Sequence, residues 1–459
     1  MQKMKNGKKV LSVCLSLAMA AGMLSTSAFA SWNVYGGSNN HNAVVTEAPT
    51  ATDASGLDSY IQLHCTGSGW DGVDNVPVMQ TVSGTTYAYV LYDGYGASGA
   101  LVAKIRCAEN GGSSIVWTTD PYGTEGTSLN AKSGFQLSTP YLDDNGTPND
   151  ASDDTLYVGT ISQYDDYEGG EWLTGTGSKV MALTGLDQNK PTVTNVLTGI
   201  NGQINTPITT DGTYLYFGTW PGGSNAGTYY QVKLSDYSVK TFTPDSYGFY
   251  WAGAVSDGTN VYFGSDNGLL YWRSIADFDT TGGVLDLTDV ASDAGNVRST
   301  VMLDDGYLYF TTQGGYLWCY ETSANGAPTY QWHKKLGATS TSTPTKVGDR
   351  IYVGYYSGFN AGGVQCVSAD GSSVKAVVEG DGFPVQSSIV VMGDGTGTDY
   401  LYFNTNAQKG AGYCYSFDGT TGSKVWGTTG DTYALGGMAI DNGYAVFGND
   451  YNHLYVVHD

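Results

Sequence analysis

One short strand-forming stretch recurs eight times along the chain, as SGTTYAYVLYD, SDDTLYVGT, DGTYLYFGT, DGTNVYFGS, DDGYLYFTT, VGDRIYVGY, GTDYLYFNT and DNGYAVFGN. Each combines a Gly/Asp turn with alternating aromatic and β-branched residues, the pattern of short antiparallel strands. Anchored on Tyr89, Tyr157, Tyr216, Tyr262, Tyr309, Tyr352, Tyr402 and Val446, the copies lie 68, 59, 46, 47, 43, 50 and 44 residues apart. The shorter spacings are those of one four-stranded propeller blade, and the two long ones predict blades with enlarged loops. Small-residue stretches such as NTPITT, STVML and GGMAI precede most anchors and predict innermost strands crowding a central axis. The expectation is an all-β, eight-bladed β-propeller, with seven blades as the alternative because the first unit is the least regular.

Repeat arithmetic also predicts how the ring closes. Trp117, Trp332 and Trp426 follow their anchors by 28, 23 and 24 residues, marking a fourth strand. The eighth unit's equivalent would fall beyond Asp459. The segment SWNVYGG around Trp32 has no inner strands of its own, so it is expected to supply the fourth strand of the last blade. Such closure pairs an otherwise open sheet edge.

Residues 1–30 carry four lysines, then a mostly apolar run, then Ala28 and Ala30 before Ser31, the arrangement of a secretory signal peptide. Residues 31–459 are then one propeller domain, exported, with no membrane span. The sequence shows no wall-sorting tail, which favours free secretion, with non-covalent retention at the cell wall as the alternative. Removing the leader's four lysines, with no acid among them, moves the formal charge from −23 to −27. That balance excludes nucleic acid, whose phosphates need clustered Lys and Arg. It leaves divalent cations and neutral molecules as partners. The remaining cysteines, Cys65, Cys107, Cys319, Cys366 and Cys414, are odd in number and without paired spacing. Cys319 and Cys366 occupy the same place in successive repeats and are expected to act as small buried apolar residues.

The units resemble the pyrroloquinoline-quinone-type (PQQ-like) propeller repeat: an inner strand, dG.vYvG, a Gly turn, lyAlda.tG and a Trp. SSIVVMGDGTGTDYLYFNTNAQKGAGYCYSFDGTTGSKVW and VMALTGLD come closest to it. WNVYGGSNNHNAV and GFYWAGAV are similar to segments of secreted propellers from Gram-positive bacteria. The resemblance spans nearly all of residues 31–459 and implies the architecture; a fold hosts many functions. Quinone dehydrogenases of this superfamily add, in many members, a vicinal cysteine pair, together with a calcium-binding set of acids and amides and a catalytic Asp. This chain has no adjacent cysteines, and its acids and amides do not match the calcium set position by position.

Chemistry-bearing motifs are otherwise sparse. The five histidines are scattered without metal-ligand spacing, and no nucleophile elbow occurs. Two acidic loops, 143–154 and 393–399, offer oxygen ligands to calcium, with Asp394 and Asp399 as candidates, although a solvated turn is the competing reading. Aromatic residues give the stronger lead. Loops entering each inner strand share one face of a propeller with those joining second to third strands. Phe249, Tyr250, Trp251, Arg298, Phe383 and Gln386 lie on the former; Tyr164, Trp172, Trp220, Tyr355, Tyr356 and Phe359 lie on the latter. Flat rings with polar rims suit sugars or peptide segments. Tyr250, Trp251, Arg298, Trp220, Tyr355 and Tyr356 are therefore the candidate ligand-binding residues, with Tyr250, Trp251 and Arg298 expected at the mouth of the axial channel. Arg298 is expected to pair a carboxylate, hold an anionic group or tie adjacent blades. Trp117, Trp332 and Trp426 are expected to pack between blades.

The function expected from these readings is that of a secreted, non-catalytic, monomeric binding or scaffolding module for a glycan, a cell-wall component or a protein. No catalytic or cofactor-binding residue is assigned. A quinoprotein dehydrogenase binding pyrroloquinoline quinone and calcium is the alternative, and a carbohydrate-active enzyme is a third class, needing carboxylates paired across a cleft.

Overall fold

Every anchor residue occupies the same register in its blade. In the computed structural model, which describes residues 31–63, 72–93, 100–120, 126–129, 138–160, 164–168, 171–174, 176–323 and 326–459, Tyr89 stands between Val78 and Lys104 on the flanking strands. Likewise Tyr262 stands between Val255 and Trp272, Tyr309 between Met302 and Cys319, Tyr352 between Thr345 and Cys366, and Tyr402 between Val390 and Cys414. All eight anchors are buried. A one-residue slip would turn each ring to the other face of its sheet, so the repeated burial enforces the register.

Eight antiparallel sheets, spanning 78–118, 141–201, 209–242, 255–286, 302–335, 345–381, 390–427 and 439–457, form the blades of a ring numbered here in that order. The 59-residue spacing has a local cause: blade 2 carries an extra hairpin, Tyr164–Glu168 with Glu171–Thr174, between its second and third strands. Turns between first and second strands follow their sequence. Asp211 and Asp257 each accept two backbone N–H groups of the turn on one carboxylate oxygen and the anchor tyrosine's hydroxyl on the other.

Two of the cysteines sit in a ladder across three strands. Tyr309, Cys319 and Trp332 stand opposite one another, as do Tyr402, Cys414 and Trp426, with the Tyr and Trp ring centroids 6.2 and 6.0 Å apart. A slim residue there lets the two rings close over it. Cys107, Cys319, Cys366 and Cys414 are free and buried, and burial pushes the Cys319 thiol up to about 12 and that of Cys366 to about 11. Such thiols stay protonated and inert. In blade 1 the middle rung is Lys104, whose ammonium lies 4.2 Å from the Tyr87 ring centroid and donates to the Leu186 carbonyl.

The last blade is closed by an N-terminal strand, but a different one from that expected. Ile61–Gln62 pairs with His453–Val457 as its fourth strand. The segment around Trp32 instead crosses the axis. Its backbone carbonyls accept from inner strands around the ring: Trp32 from Met79 at 2.7 Å, Asn33 from Leu142 at 2.8 Å, Asn40 from Leu303 at 3.0 Å and Ala43 from Val391 at 2.9 Å. The Asn42 amide bonds both backbone groups of Lys346, and His41 bonds the Ala254 carbonyl. Val44–Val45 then adds a parallel strand inside blade 7. On the axis Trp32 and Val34 are 2% and 0% exposed, and the segment's carbonyls meet the inner-strand N–H groups of four blades. From there the chain runs outward under blade 8, where Asp459 accepts the Thr50 and Ala51 N–H groups. The leader assigned to residues 1–30, and Cys65, lie outside the described residues.

Candidate functional site at the ring axis

Inner strands run from the entering-loop face toward the segment that crosses the axis. Val76, Thr139, Thr300 and Ser388 each precede by three residues the strand position that meets this segment, which is about 10 Å of extended chain. These four side chains line a chamber of about 60 Å³ whose wall also includes Tyr35 of the crossing segment. The Tyr35 hydroxyl is hydrogen-bonded to Thr343 at 3.0 Å. The axial channel is thus a well with a floor. Above the chamber lies a wider one of about 210 Å³, and the two share Asp74, Trp251, Arg298, Gln386 and Leu435.

Aromatic rings wall the upper chamber: Tyr250 and Trp251 from the loop entering blade 4, Tyr356 and Phe359 from blade 6, and Tyr433 from the loop entering blade 8. Tyr250 and Trp251 have ring centroids 4.8 Å apart, and Phe359 meets Tyr433 edge-on at 5.5 Å. Phe359 is 48% exposed, so an apolar surface faces outward at the rim. Trp251 holds a left-handed backbone, φ 57°, closed by a hydrogen bond from the Gly253 N–H to its carbonyl. For a bulky residue this conformation costs about 1–2 kcal/mol. The strain turns the Trp251 side chain into the well while Phe249, two residues earlier, stays fully buried against Tyr229 and Phe263.

Arg298 is held by its neighbour. Its Nε and Nη2 donate to the two carboxylate oxygens of Asp266, both at 2.7 Å, and its guanidinium lies 4.4 Å from the Tyr250 ring centroid. Burial disfavours the charge, and the hydrogen bonds and charge of Asp266 more than offset it, so the guanidinium sits above its ordinary range. Asp266 belongs to blade 4 and Arg298 to the loop entering blade 5, so the pair ties adjacent blades. Its positive charge is matched, and the expectation that it holds an anionic group has no support in this geometry.

The other predicted residues separate. Trp220 backs the site: it meets Tyr250 edge-on at 5.1 Å and its indole N–H donates to Asp266 at 3.2 Å. Tyr355 points into the blade wall against Gly337 while Tyr356 faces the chamber. Neighbouring strand residues alternate faces, so the two cannot share the cavity. Gln386 lines both chambers, Phe383 packs on Tyr413, and the side chains of Tyr164 and Trp172 lie outside the described residues. Trp117, Trp332 and Trp426 pack against tyrosines of their own blades and also reach beyond them, as expected of rings at blade junctions: Trp117 donates to the Leu186 carbonyl of blade 2, Trp332 lies against Gly371 of blade 6, and Trp426 donates to the Pro49 carbonyl.

The acidic-loop candidates do not converge as ligands. Asp394 accepts from Thr396 within its own turn, while fully buried Asp399 is paired with Arg350 at 2.7 Å and Tyr352 at 2.6 Å. Asp394 lies on the loop joining first to second strand and Asp399 opens that second strand, on the face opposite the well. In the 143–154 loop, Asp143, Asp144 and Asp150 cap backbone N–H groups of their own turns. Among the described residues no group of three or more His, Cys, Asp or Glu is arranged to hold a metal ion.

Sequence reasoning missed Asp74, Asn75, Asn205, Asn406, Leu435 and Asp450 on the well. For Asn75 and Asn205 a signal existed: DNVPV and NTPI place an Asn just before an inner strand. Three of the buried groups are unsatisfied. Asn75 Oδ1, both amide atoms of Asn205, and Ser387 Oγ have no hydrogen-bond partner.

No protein-family description matches the chain, and no curated protein sequence does. Solved structures do. A europium-containing methanol dehydrogenase is 12% identical over 91% of this chain and 89% of its own, with a TM-score of 0.58. BamB from Moraxella catarrhalis is 14% identical over 88% of this chain and 99% of its own, with a TM-score of 0.52. Sqt1 from Saccharomyces cerevisiae is 11% identical over 88% of this chain and 99% of its own, with a TM-score of 0.54. At these identities the likeness is one of fold. It joins this chain to propellers that include a dehydrogenase and proteins not named as enzymes.

Proposed function

We propose that this protein is an exported binding module that captures a glycan, a cell-wall component or a protein end-on in the axial well. The observation that carries the reading is the upper chamber: five aromatic rings from three parts of the ring, one held in a strained backbone, around a floored cavity of about 210 Å³. Rings of this kind offer large apolar area with little entropy to lose on binding. The signal-like leader and the acidic balance support secretion as a monomer, with retention at a Gram-positive wall non-covalent. Retention on purified cell wall and on a glycan array, compared between the mature protein and Trp251→Ala, tests the reading. Equal retention by both folded proteins removes the well as the site. Cell fractionation tests localisation, with a mature N-terminus at Ser31 expected in medium or wall.

A second reading, a quinone-dependent dehydrogenase, is favoured by the fold shared with methanol dehydrogenase. Two features count against that cofactor pair: the described cysteines are separate, so no vicinal pair is present among them, and the carboxylates on the well, Asp74 and Asp450, belong to no group of three or more His, Cys, Asp or Glu arranged for a metal ion among the described residues. Dye reduction with alcohol or sugar after addition of quinone and Ca²⁺ would revive it.

A further inference from the structure

The lower chamber presents an uncommon set of unmet demands. Asn75 and Asn205 are 3% and 2% exposed, and Asn75 Oδ1, Asn205 Oδ1, Asn205 Nδ2 and Ser387 Oγ all lack partners. Asn75 Nδ2, by contrast, is fixed to the Leu91 carbonyl at 2.7 Å, which sets that amide's orientation and leaves its oxygen as the unmet acceptor. Buried polar groups in folded proteins are nearly always satisfied, and a cluster of exceptions calls for a water or a ligand. All three side chains line the same chamber of about 60 Å³, room for a few waters or for the atoms that would replace them.

Their chemistry selects among occupants. The chamber needs both donors and acceptors at close range. A carboxylate brings acceptors only and would face Asn75 Oδ1 with a lone pair. An ammonium brings donors only and would leave the Asn205 N–H groups unmet. A hydroxyl does both. Charge adds nothing to pull an anion in, because Arg298 is already paired with Asp266. Size adds a further limit: the chamber admits the hydroxyl-bearing edge of a sugar, while the ring itself stays above, against Trp251 and Tyr250.

We propose that the lower chamber is the subsite for the terminal residue of an uncharged, linear saccharide, whose hydroxyls satisfy Asn75, Asn205 and Ser387 while its ring stacks in the upper chamber. The proposal rests on the reading of the well as a binding site and names its ligand class and direction of entry. Because the well is floored by the Tyr35 segment, a chain enters by its end and does not thread through.

The test titrates the mature protein with a panel of short linear neutral oligosaccharides and with a cyclic oligosaccharide of the same linkage. Asn205→Leu and Ser387→Ala should each weaken the linear ligand about 5- to 50-fold, the effect of losing one or two buried hydrogen bonds. The cyclic ligand should bind at least about 10-fold more weakly than the linear one. Asn205→Leu should not lower the melting temperature, because it removes two unsatisfied atoms at nearly constant volume. If Trp251→Ala abolishes saccharide binding while Asn205→Leu and Ser387→Ala leave it unchanged, the subsite is overturned and the binding module stands. If no saccharide binds but wall or protein retention is lost in Trp251→Ala, the ligand class is overturned and the module again stands. If retention and saccharide binding are both indifferent to Trp251, both fail. Should Asn205→Leu not fold, Ser387→Ala, which trims one hydroxyl, and the cyclic ligand decide.

Discussion

Asp266 grips Arg298 through two 2.7 Å hydrogen bonds across the boundary between blades 4 and 5, and the same carboxylate receives the indole N–H of Trp220 from blade 3. One acid thus braces three blades beneath the aromatic wall. With the Asp266 side chain 6% exposed and that of Arg298 20% exposed, the pair is partly desolvated. Removing one partner of a fully buried pair costs about 3–5 kcal/mol. After allowance for solvent at Arg298, Asp266→Ala should cost about 2–3 kcal/mol, measured by chemical denaturation. Asp266→Ala/Arg298→Met should recover part of that loss, giving a coupling above about 1 kcal/mol. Additive losses would contradict the brace.

Deleting residues 31–45 should destabilise the ring although blade 8 keeps its closing strand at Ile61–Gln62. The deletion uncovers the partners of Trp32 and Val34, worth about 1.5–3 kcal/mol each. It also leaves inner-strand N–H groups such as those of Met79 and Val391 without acceptors. A fall of about 4 kcal/mol or more in unfolding free energy is expected. Deletion through residue 63 should do more, because it opens the sheet as well. An unchanged denaturation midpoint for the shorter deletion would refute the stabilising role of the segment that crosses the axis.

Trp251 gives a backbone test. Its φ of 57° suits glycine, and alanine retains the strain. Trp251→Gly should therefore be about 0.5–1 kcal/mol more stable than Trp251→Ala, even after glycine's larger loss of chain entropy. Both should lose the ligand. Equal stability would mean that the strain is not felt.

Two carboxyls make stability fall with rising pH. Burial pushes Asp154 up to about 6, with the Gln80 amide opposing, and burial pushes Asp441 up to about 6, with the Thr81 hydroxyl opposing. Between about pH 4 and 6 the folded protein binds more protons than the unfolded chain, so this contribution is present at the acid end and lost as pH rises through the folded values. Asp154→Asn and Asp441→Asn should each flatten the slope in that window and gain about 1–2 kcal/mol at neutral pH. Unchanged slopes in both variants would exclude these groups.

The blade was legible because it is local. Alternating burial over a few residues, an Asp–Gly turn and a Trp at a regular distance state one antiparallel unit, and eight copies state the ring. The Tyr–Cys–Trp ladder was half legible: the equivalence of Cys319 and Cys366 could be read from the repeats, but the rings that close over Cys319 and Cys414 meet only once the strands are paired. Tyr355 and Tyr356 were read together and part because strand alternation sends one into the wall.

What the sequence by itself determined is what repeats: strand order, register, blade number and the face that carries the loops, each set by short-range patterning that every copy restates. Only the tertiary structure decided what happens once. Trp32 looks like the missing Trp of a fourth strand, yet it lies at the axis, where the inner strands of the ring leave an apolar gap with unpaired N–H groups; Ile61 and Gln62, with less to bury, take the outer edge. Arg298 finds its acid 32 residues away. Asn75, Asn205 and Ser387 come from three different blade junctions and meet because a closed ring brings all its entering loops to one axis, a convergence that no local pattern encodes.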